Sequence, residues 1–425
     1  RGPSMAPETG APAAEATSRP LTLIEVLLPI VLGGLALGMS FLLFGPAALG
    51  GPLQTAIITT TAGAMLIGWR AGHGFDAMGD AALASVVGGF DTIAVLFAVG
   101  ALLGTWAMSG TLLALGYYLL QVLTPEWLYL TSALITALIG FTIASAWTAA
   151  STVGICLVGI ATQVGLDPAI TAGAVISGAY FGDTLSPLSK KSRLTASLAG
   201  VTQRQHGRES LLTSLPAFAL CLVLFWWLGE PSSRDALQII AGIDEALDIR
   251  PGLLLPLGAV IVLALLQVRP FITMFTGALV GAAVAVAVKP AIVIAFAANP
   301  DLAPALALLK GVWQAMATGF VADTGNQMLD AFLSRGGMAR MLNTIWLISA
   351  ALAFGGVIER IGLLSRLFEP IARKACSAAA LVASTVGASF ATNLLTADQQ
   401  AGTRLAEHIL KPAFDASGLA PVVLS

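Results

Sequence analysis

The sequence predicts an all-α polytopic membrane protein built from two related halves, with broken and re-entrant helices among its spans. Three observations predict it. Of 425 residues, 57% are hydrophobic and only 10% charged, at a mean hydropathy of +0.87, whereas a water-soluble domain carries about 25% charge. Apolar runs of helical length recur throughout, and each crossing of a bilayer core takes about 20 such residues. Small-residue motifs recur in pairs at one common displacement, as expected of an internally duplicated membrane protein.

From the N-terminus, residues 1–20 are rich in Ala, Pro, Thr and Glu without an apolar run, and read as a disordered tail. Residues 21–229 form the expected first transmembrane repeat, residues 230–250 an extracytoplasmic linker and residues 251–425 the second repeat. The clearest spans are Leu21–Phe44, Leu53–Trp69, Thr92–Met108, Leu128–Ala144, Leu211–Leu228, Leu253–Val268, Phe271–Val288, Ala305–Val321 and Leu342–Ile358. Between Thr152 and Phe181, and again between Ala375 and Leu395, Gly, Ser, Thr and Pro interrupt the apolar runs, which predicts broken or re-entrant helices. Irregular backbone survives at membrane depth only where protein or a water-filled cavity encloses it.

Charge sets orientation. Lys190, Lys191, Arg193, Arg204 and Arg208 against the single acid Glu209 place the stretch after Ser189 in the cytoplasm. The linker carries five acids, from Glu230 to Asp248, against two arginines and belongs outside. One span separates the two. The net charge of −2 excludes a basic nucleic-acid surface. Three dispersed cysteines in apolar runs, Cys156, Cys221 and Cys376, suggest neither disulfides nor a metal cluster. No nucleophile elbow or phosphate-binding loop points to an enzyme or to a cofactor.

The repeat rests on Gly74-Phe75 and Gly319-Phe320, on Gly88-Gly89 and Gly336-Gly337, and on Gly104 with Gly110 against Gly356 with Gly362. GFTIASAWTAAS from Gly140 likewise resembles GASFATNLLTA from Gly387, all at displacements of about 245 to 252 residues. On that displacement the mate of Gly178–Ser192 falls near or beyond Ser425, so the second half is expected to lack its C-terminal portion here.

Three polar segments could carry chemistry where helices break: Ser145–Thr152 with Thr148 and Ser151; Gly182–Ser189 with Asp183, Thr184, Ser186 and Ser189; and Ser389–Asp398 with Thr392, Asn393, Thr396 and Asp398. A carboxylate, hydroxyls and carbonyls freed by unwinding are hard oxygen ligands, which suit sodium. An intramembrane acid is costly and is by default a functional candidate. Asp183 leads, as the group that sodium and a proton would share. Structural roles compete with each assignment: Ser and Thr bond back to their own helix, Asp183 could cap an interfacial turn, and Asp398, near Arg404 and Glu407, could sit at the water boundary.

At these segments the sequence resembles the NhaC-type sodium/proton antiporter family of the ion transporter superfamily. GALLGTWAMSGT, GAVISGAYFGDTLSPLS, DTGNQMLDAFLSRGG and NLLTADQ carry the resemblance, which runs from about Leu21 to Pro412. It implies inverted-topology repeats, a multi-pass protein of the cell membrane, a homodimer, and sodium and protons as transported substrates without a cofactor. It also implies a midplane site of Asp183, Ser186, Ser189, Asn393, Thr396 and Asp398, worked by alternating access. Where relatives continue past SPLS with an acid and hydroxyls, this chain has Lys190-Lys191. Lys190 could stand in for bound sodium against Asp183 or attract an anionic substrate, or both lysines could simply mark the cytoplasmic boundary. The rival function is exchange of small organic anions of the malate/lactate type.

Overall fold

The computed structural model describes residues 19–122, 125–163, 165–229, 250–266, 268–323, 330, 333–374, 378–396, 402, 411 and 414. Among them every regular element is helical and no strand forms. In chain order the helices are α1 (Leu23–Phe44), α2 (Pro52–Arg70), α3 (Phe75–Gly88), α4 (Phe90–Ser109), α5 (Thr111–Val122), α6 (Leu128–Ile143), α7 (Ala146–Ala149), α8 (Ile155–Gln163), α9 (Pro168–Leu185), α10 (Lys190–Ala199) and α11 (Gln203–Trp227). They continue as α12 (Leu255–Leu265), α13 (Pro270–Val288), α14 (Pro290–Phe296), α15 (Pro304–Thr318), α16 (Leu342–Arg360), α17 (Leu363–Lys374) and α18 (Ala378–Thr396).

Local chemistry sets the boundaries. Thr22 with Glu25, and Thr202 with Gln205, form capping boxes that open α1 and α11. Proline starts α2, α9, α13, α14 and α15, where its missing N–H would have had no helical partner. Gly110 at φ +84° and Gly362 at φ +72° break α4 from α5 and α16 from α17, a left-handed conformation that suits a residue without Cβ.

All nine apolar runs read from the sequence are helical over most of their length. Six helical segments among the described residues are long and apolar enough to cross a membrane. Side chains such as Leu42, Leu220, Trp227 and Leu394 lie on the outside, a surface for hydrocarbon rather than water. One expectation needs correcting. The Ala375–Leu395 run is not broken over its described residues, because α18 continues unbroken from Ala378 to Thr396. Its hydroxyls bond back within the helix, Ser384 to the Ala380 carbonyl at 2.7 Å and Thr385 to the Leu381 carbonyl at 2.9 Å, so they interrupt nothing.

The chain divides into two compact units, each described by itself. The first comprises Arg1–Gly89 and Trp346–Ala413. Here α1 and α2 pair as a hairpin, with Gly33 against Thr60, and the Arg366 guanidinium donates to the Leu21 carbonyl at 3.0 Å. Adjacent glycines on α16 serve two neighbours: Gly356 lies against the Ala81 carbonyl of α3 and Gly355 against the Thr396 backbone of α18.

The second unit comprises Phe90–Ile345 and Phe414–Ser425. Its core is α4, buried along most of its length. The Trp106 indole N–H reaches the Gly277 carbonyl of α13 at 3.1 Å, and Gly104 lies on the Ala315 carbonyl of α15. The Gly337 amide donates to the Gly100 carbonyl at 2.6 Å. Beside this core, α6 and α9 pack lengthwise, and the rings of Phe181 and Phe218 stack α9 on α11 at 4.0 Å.

Candidate functional site

Asp183 sits in the last turn of α9, and the sequence GAYFG just before it explains how that turn is held. Gly178 and Gly182 share one face, four residues apart, and a Cβ at either would collide with a carbonyl oxygen of α6, at Ala133 and Ala137. From the opposite side, a Cβ at Gly140 would come within 2.5 Å of the Ala179 carbonyl. Small residues therefore let the two backbones touch, the usual way helices associate where no hydrophobic drive exists. The start of α9 is fixed as well: Asp167 caps it by accepting from the Ala169 amide at 2.7 Å, and the Asp167 amide donates to the Tyr129 hydroxyl at 2.9 Å.

The helix then breaks. Ser186 turns extended, as the residue before a proline must, and its amide donates to the Gly182 and Asp183 carbonyls. Ser189 restarts the chain as the N-cap of α10, its hydroxyl accepting from the Ser192 amide at 3.5 Å. Ser186 and Ser189 are both buried, whereas Thr184 is exposed. The Ser186 hydroxyl accepts from the Leu188 amide at 3.4 Å, so both serines shape the break.

At this break Asp183 is 3% exposed. Its Oδ1 has no hydrogen-bond partner, and its Oδ2 lies 3.2 Å from the Lys191 ammonium. That ammonium is itself buried without a well-aligned hydrogen bond and sits 4.8 Å from the centre of the Tyr180 ring. The cation beside Asp183 is thus Lys191, and Lys190, the sequence-level candidate, is exposed. The sequence reading named Lys190, and the structure places its neighbour at the carboxylate instead. The Ser189 cap makes Lys190 the first helical residue and Lys191 the second, and about 100° of helical rotation separates adjacent side chains. Tyr180, three residues before Asp183 and so on its face, was missed altogether.

Thr148 and Ser151 lie in the same unit, at a second break. Ala144 adopts a left-handed conformation at φ +56°, and a π-helical turn, Ala150–Gly154, follows α7. The hydroxyls mostly satisfy this break. Thr148 Oγ1 donates to Ser145 Oγ at 2.9 Å, Ser151 to the Thr148 carbonyl at 3.4 Å and Thr152 to the same carbonyl at 2.6 Å. Ala146 and Ala149 pack with Ala179 and Tyr180, which seats the segment one turn before Asp183, with no hydrogen bond to the carboxylate. Asn393 and Thr396 belong to the first unit. Asn393 is exposed, and the buried Thr396 donates to the Thr392 carbonyl at 2.9 Å. Thr392 is fully buried, and its hydroxyl has no partner. Asp398 lies outside the described residues.

A family model described as the Na+/H+ antiporter family matches residues 209–425. The chain is 31% identical over 411 residues to the malate-2H+/Na+-lactate antiporter of Bacillus subtilis, covering 95% of this chain and 83% of that protein. It is 30% identical to the Na+/H+ antiporter NhaC of the same organism, over 86% of this chain and 78% of that one. The chain belongs to the Na+/H+ antiporter family. A further member, the NhaC antiporter of Alkalihalophilus pseudofirmus, is 34% identical over 73% of this chain, and the match spans 65% of that antiporter's length. Membership makes the chain a membrane transporter of NhaC type, and these relatives are transporters rather than enzymes. The family match begins after Asp183, whereas the malate/lactate relative aligns with 95% of this chain.

Proposed function

We propose that the chain exchanges sodium for protons across the cell membrane by alternating access, with Asp183 holding either ion in turn. The observation that carries this is a buried carboxylate with one oxygen unpartnered, at a helix break inside a transporter. An unpaired buried carboxylate oxygen is expensive to maintain, and an arriving cation or proton removes that cost. The carbonyls of the last α9 turn add negative potential at the same end. Sodium binds the ionised carboxylate and a proton neutralises it, so one group cannot carry both at once, and that exclusion couples the fluxes. Two inverted repeats supply the moving elements in this reading. The break glycines Gly110 and Gly362, which correspond in the displacement, share a left-handed φ. Thr148, Ser151, Thr184, Ser186 and Ser189, in the same unit as Asp183, are the remaining candidate ligands.

Exchange of small carboxylates is the second reading, favoured by the named activity of the Bacillus subtilis relative and by Lys190, Lys191 and Arg193 at the break. Arg193 is already engaged, donating to the Leu188 carbonyl at 3.0 Å. Proteoliposomes with an internal pH dye decide between the readings. Proton flux driven by a sodium gradient alone is the expected result, and flux that requires added malate or lactate would favour the rival. In Asp183→Asn, sodium-driven flux should be lost with folded protein retained, because the amide carries no charge for sodium and takes up no proton. Persisting exchange in that variant removes Asp183 from the mechanism.

A further inference from the structure

Lysines at the edge of a membrane normally stretch the ammonium toward water and leave the stem in apolar surroundings. Lys191 does the reverse. Its side chain is 41% exposed overall, yet the ammonium nitrogen is buried, pointing inward to Asp183 Oδ2 at 3.2 Å and over the Tyr180 ring at 4.8 Å. Lys190 and Arg193, its neighbours on α10, are exposed, and Arg193 is spent on backbone carbonyls at the helix start. The carboxylate and the ring face are therefore what hold a charge away from water.

We infer that Lys191 is a tethered cation that competes with the transported one for Asp183, and so sets the affinity of the site for sodium. The inference rests on the antiport reading above. A monovalent ammonium within 3.2 Å of one carboxylate oxygen offers sodium a partly neutralised ligand, and a sodium ion on the open Oδ1 would face a like charge only a few ångströms away. Sodium binding must push the ammonium off. The four-carbon stem, already partly at the surface, gives it somewhere to go. When sodium leaves, the ammonium returns until a proton takes the carboxylate, and so spares the protein a bare buried carboxylate. Tyr180 positions the ammonium by lending its ring face.

The test is the sodium dependence of exchange in proteoliposomes, with sodium half-saturation of thermal stabilisation measured in parallel on purified protein in detergent. Lys191→Met should lower both the sodium KM and the half-saturation concentration about tenfold, roughly what losing one charge-assisted contact is worth. Maximal rate should fall, because sodium is no longer displaced on release. A merely structural lysine would not produce that combination of tighter binding and slower turnover. Tyr180→Leu keeps the charge but loosens it, and should shift both constants the same way by a smaller factor. Unchanged or weakened sodium affinity in Lys191→Met, by either measurement, overturns the inference. Asp183→Asn separates the two levels of argument. If it still binds sodium, the site itself is misassigned. If it loses sodium while Lys191→Met keeps the parent affinity, only the tethered-cation role fails.

Discussion

At the scale of single residues, Asp183 and Thr392 present the same anomaly, a buried polar atom without a partner, but they differ in what removal costs. Deleting the Asp183 charge releases the Lys191 ammonium from its partner and sends it toward water, whereas Thr392→Val removes an unsatisfied hydroxyl and leaves the shape almost unchanged. Thermal unfolding of Thr392→Val in detergent should therefore show equal or higher stability, by up to about 1 kcal/mol. A clear loss would mean that the hydroxyl is bonded after all. Asp183 was legible in the sequence because a carboxylate in a Gly- and Pro-broken apolar run has few bland explanations. Choosing Lys191 over Lys190 was not, since it turns on which residue caps α10. Thr392 stands in its polar segment as one hydroxyl among several, and its four-residue spacing from Thr396 places both on one face.

For individual helices, close backbone approach matters more than apolar content. The α6–α9 pair depends on Gly140, Gly178 and Gly182, and a larger residue there must push whole backbones apart instead of bending one side chain. Gly178→Leu should therefore cost about 3 kcal/mol or more and leave little folded protein. Gly173→Ala, in the same helix with nothing within 4 Å of the added carbon, should be neutral or stabilising by up to about 1 kcal/mol. Size-exclusion profiles and melting of the two variants check this, and equal behaviour would show that the packing tolerates expansion. The nine apolar runs were readable as helices because hydrophobic runs of helical length have few other fates, and five of them overlap segments, among the described residues, that are long and apolar enough to cross a membrane. The expected break in α18 failed for a reason that composition cannot show: Ser and Thr interrupt a helix only when their hydroxyls leave it, and here Ser384, Thr385 and Thr396 bond back within it.

Over the whole molecule, the two compact units cut across sequence order, since the first takes both the start of the chain and Trp346–Ala413. Sequence displacement tracks related segments and says nothing about which of them cluster in space, so this division was not legible. Orientation is a different matter, because it follows from charge counted along the chain. The α11 helix runs unbroken from Gln203 to Trp227 and is long and apolar enough to cross a membrane, with basic residues gathered around its start and an acidic linker after it. Short loops rich in Lys and Arg stay on the cytoplasmic side, whereas acids contribute little to orientation. In a background with the three native cysteines replaced by alanine, Ser197→Cys should react with a membrane-impermeant maleimide only from the cytoplasmic side. Ala236→Cys should react only from outside. Labelling of both from one side would mean that α11 does not cross. The opposite pattern would reverse the orientation, so that the Asp183–Lys191 break opens near the outer rather than the inner surface and meets sodium from the other compartment first.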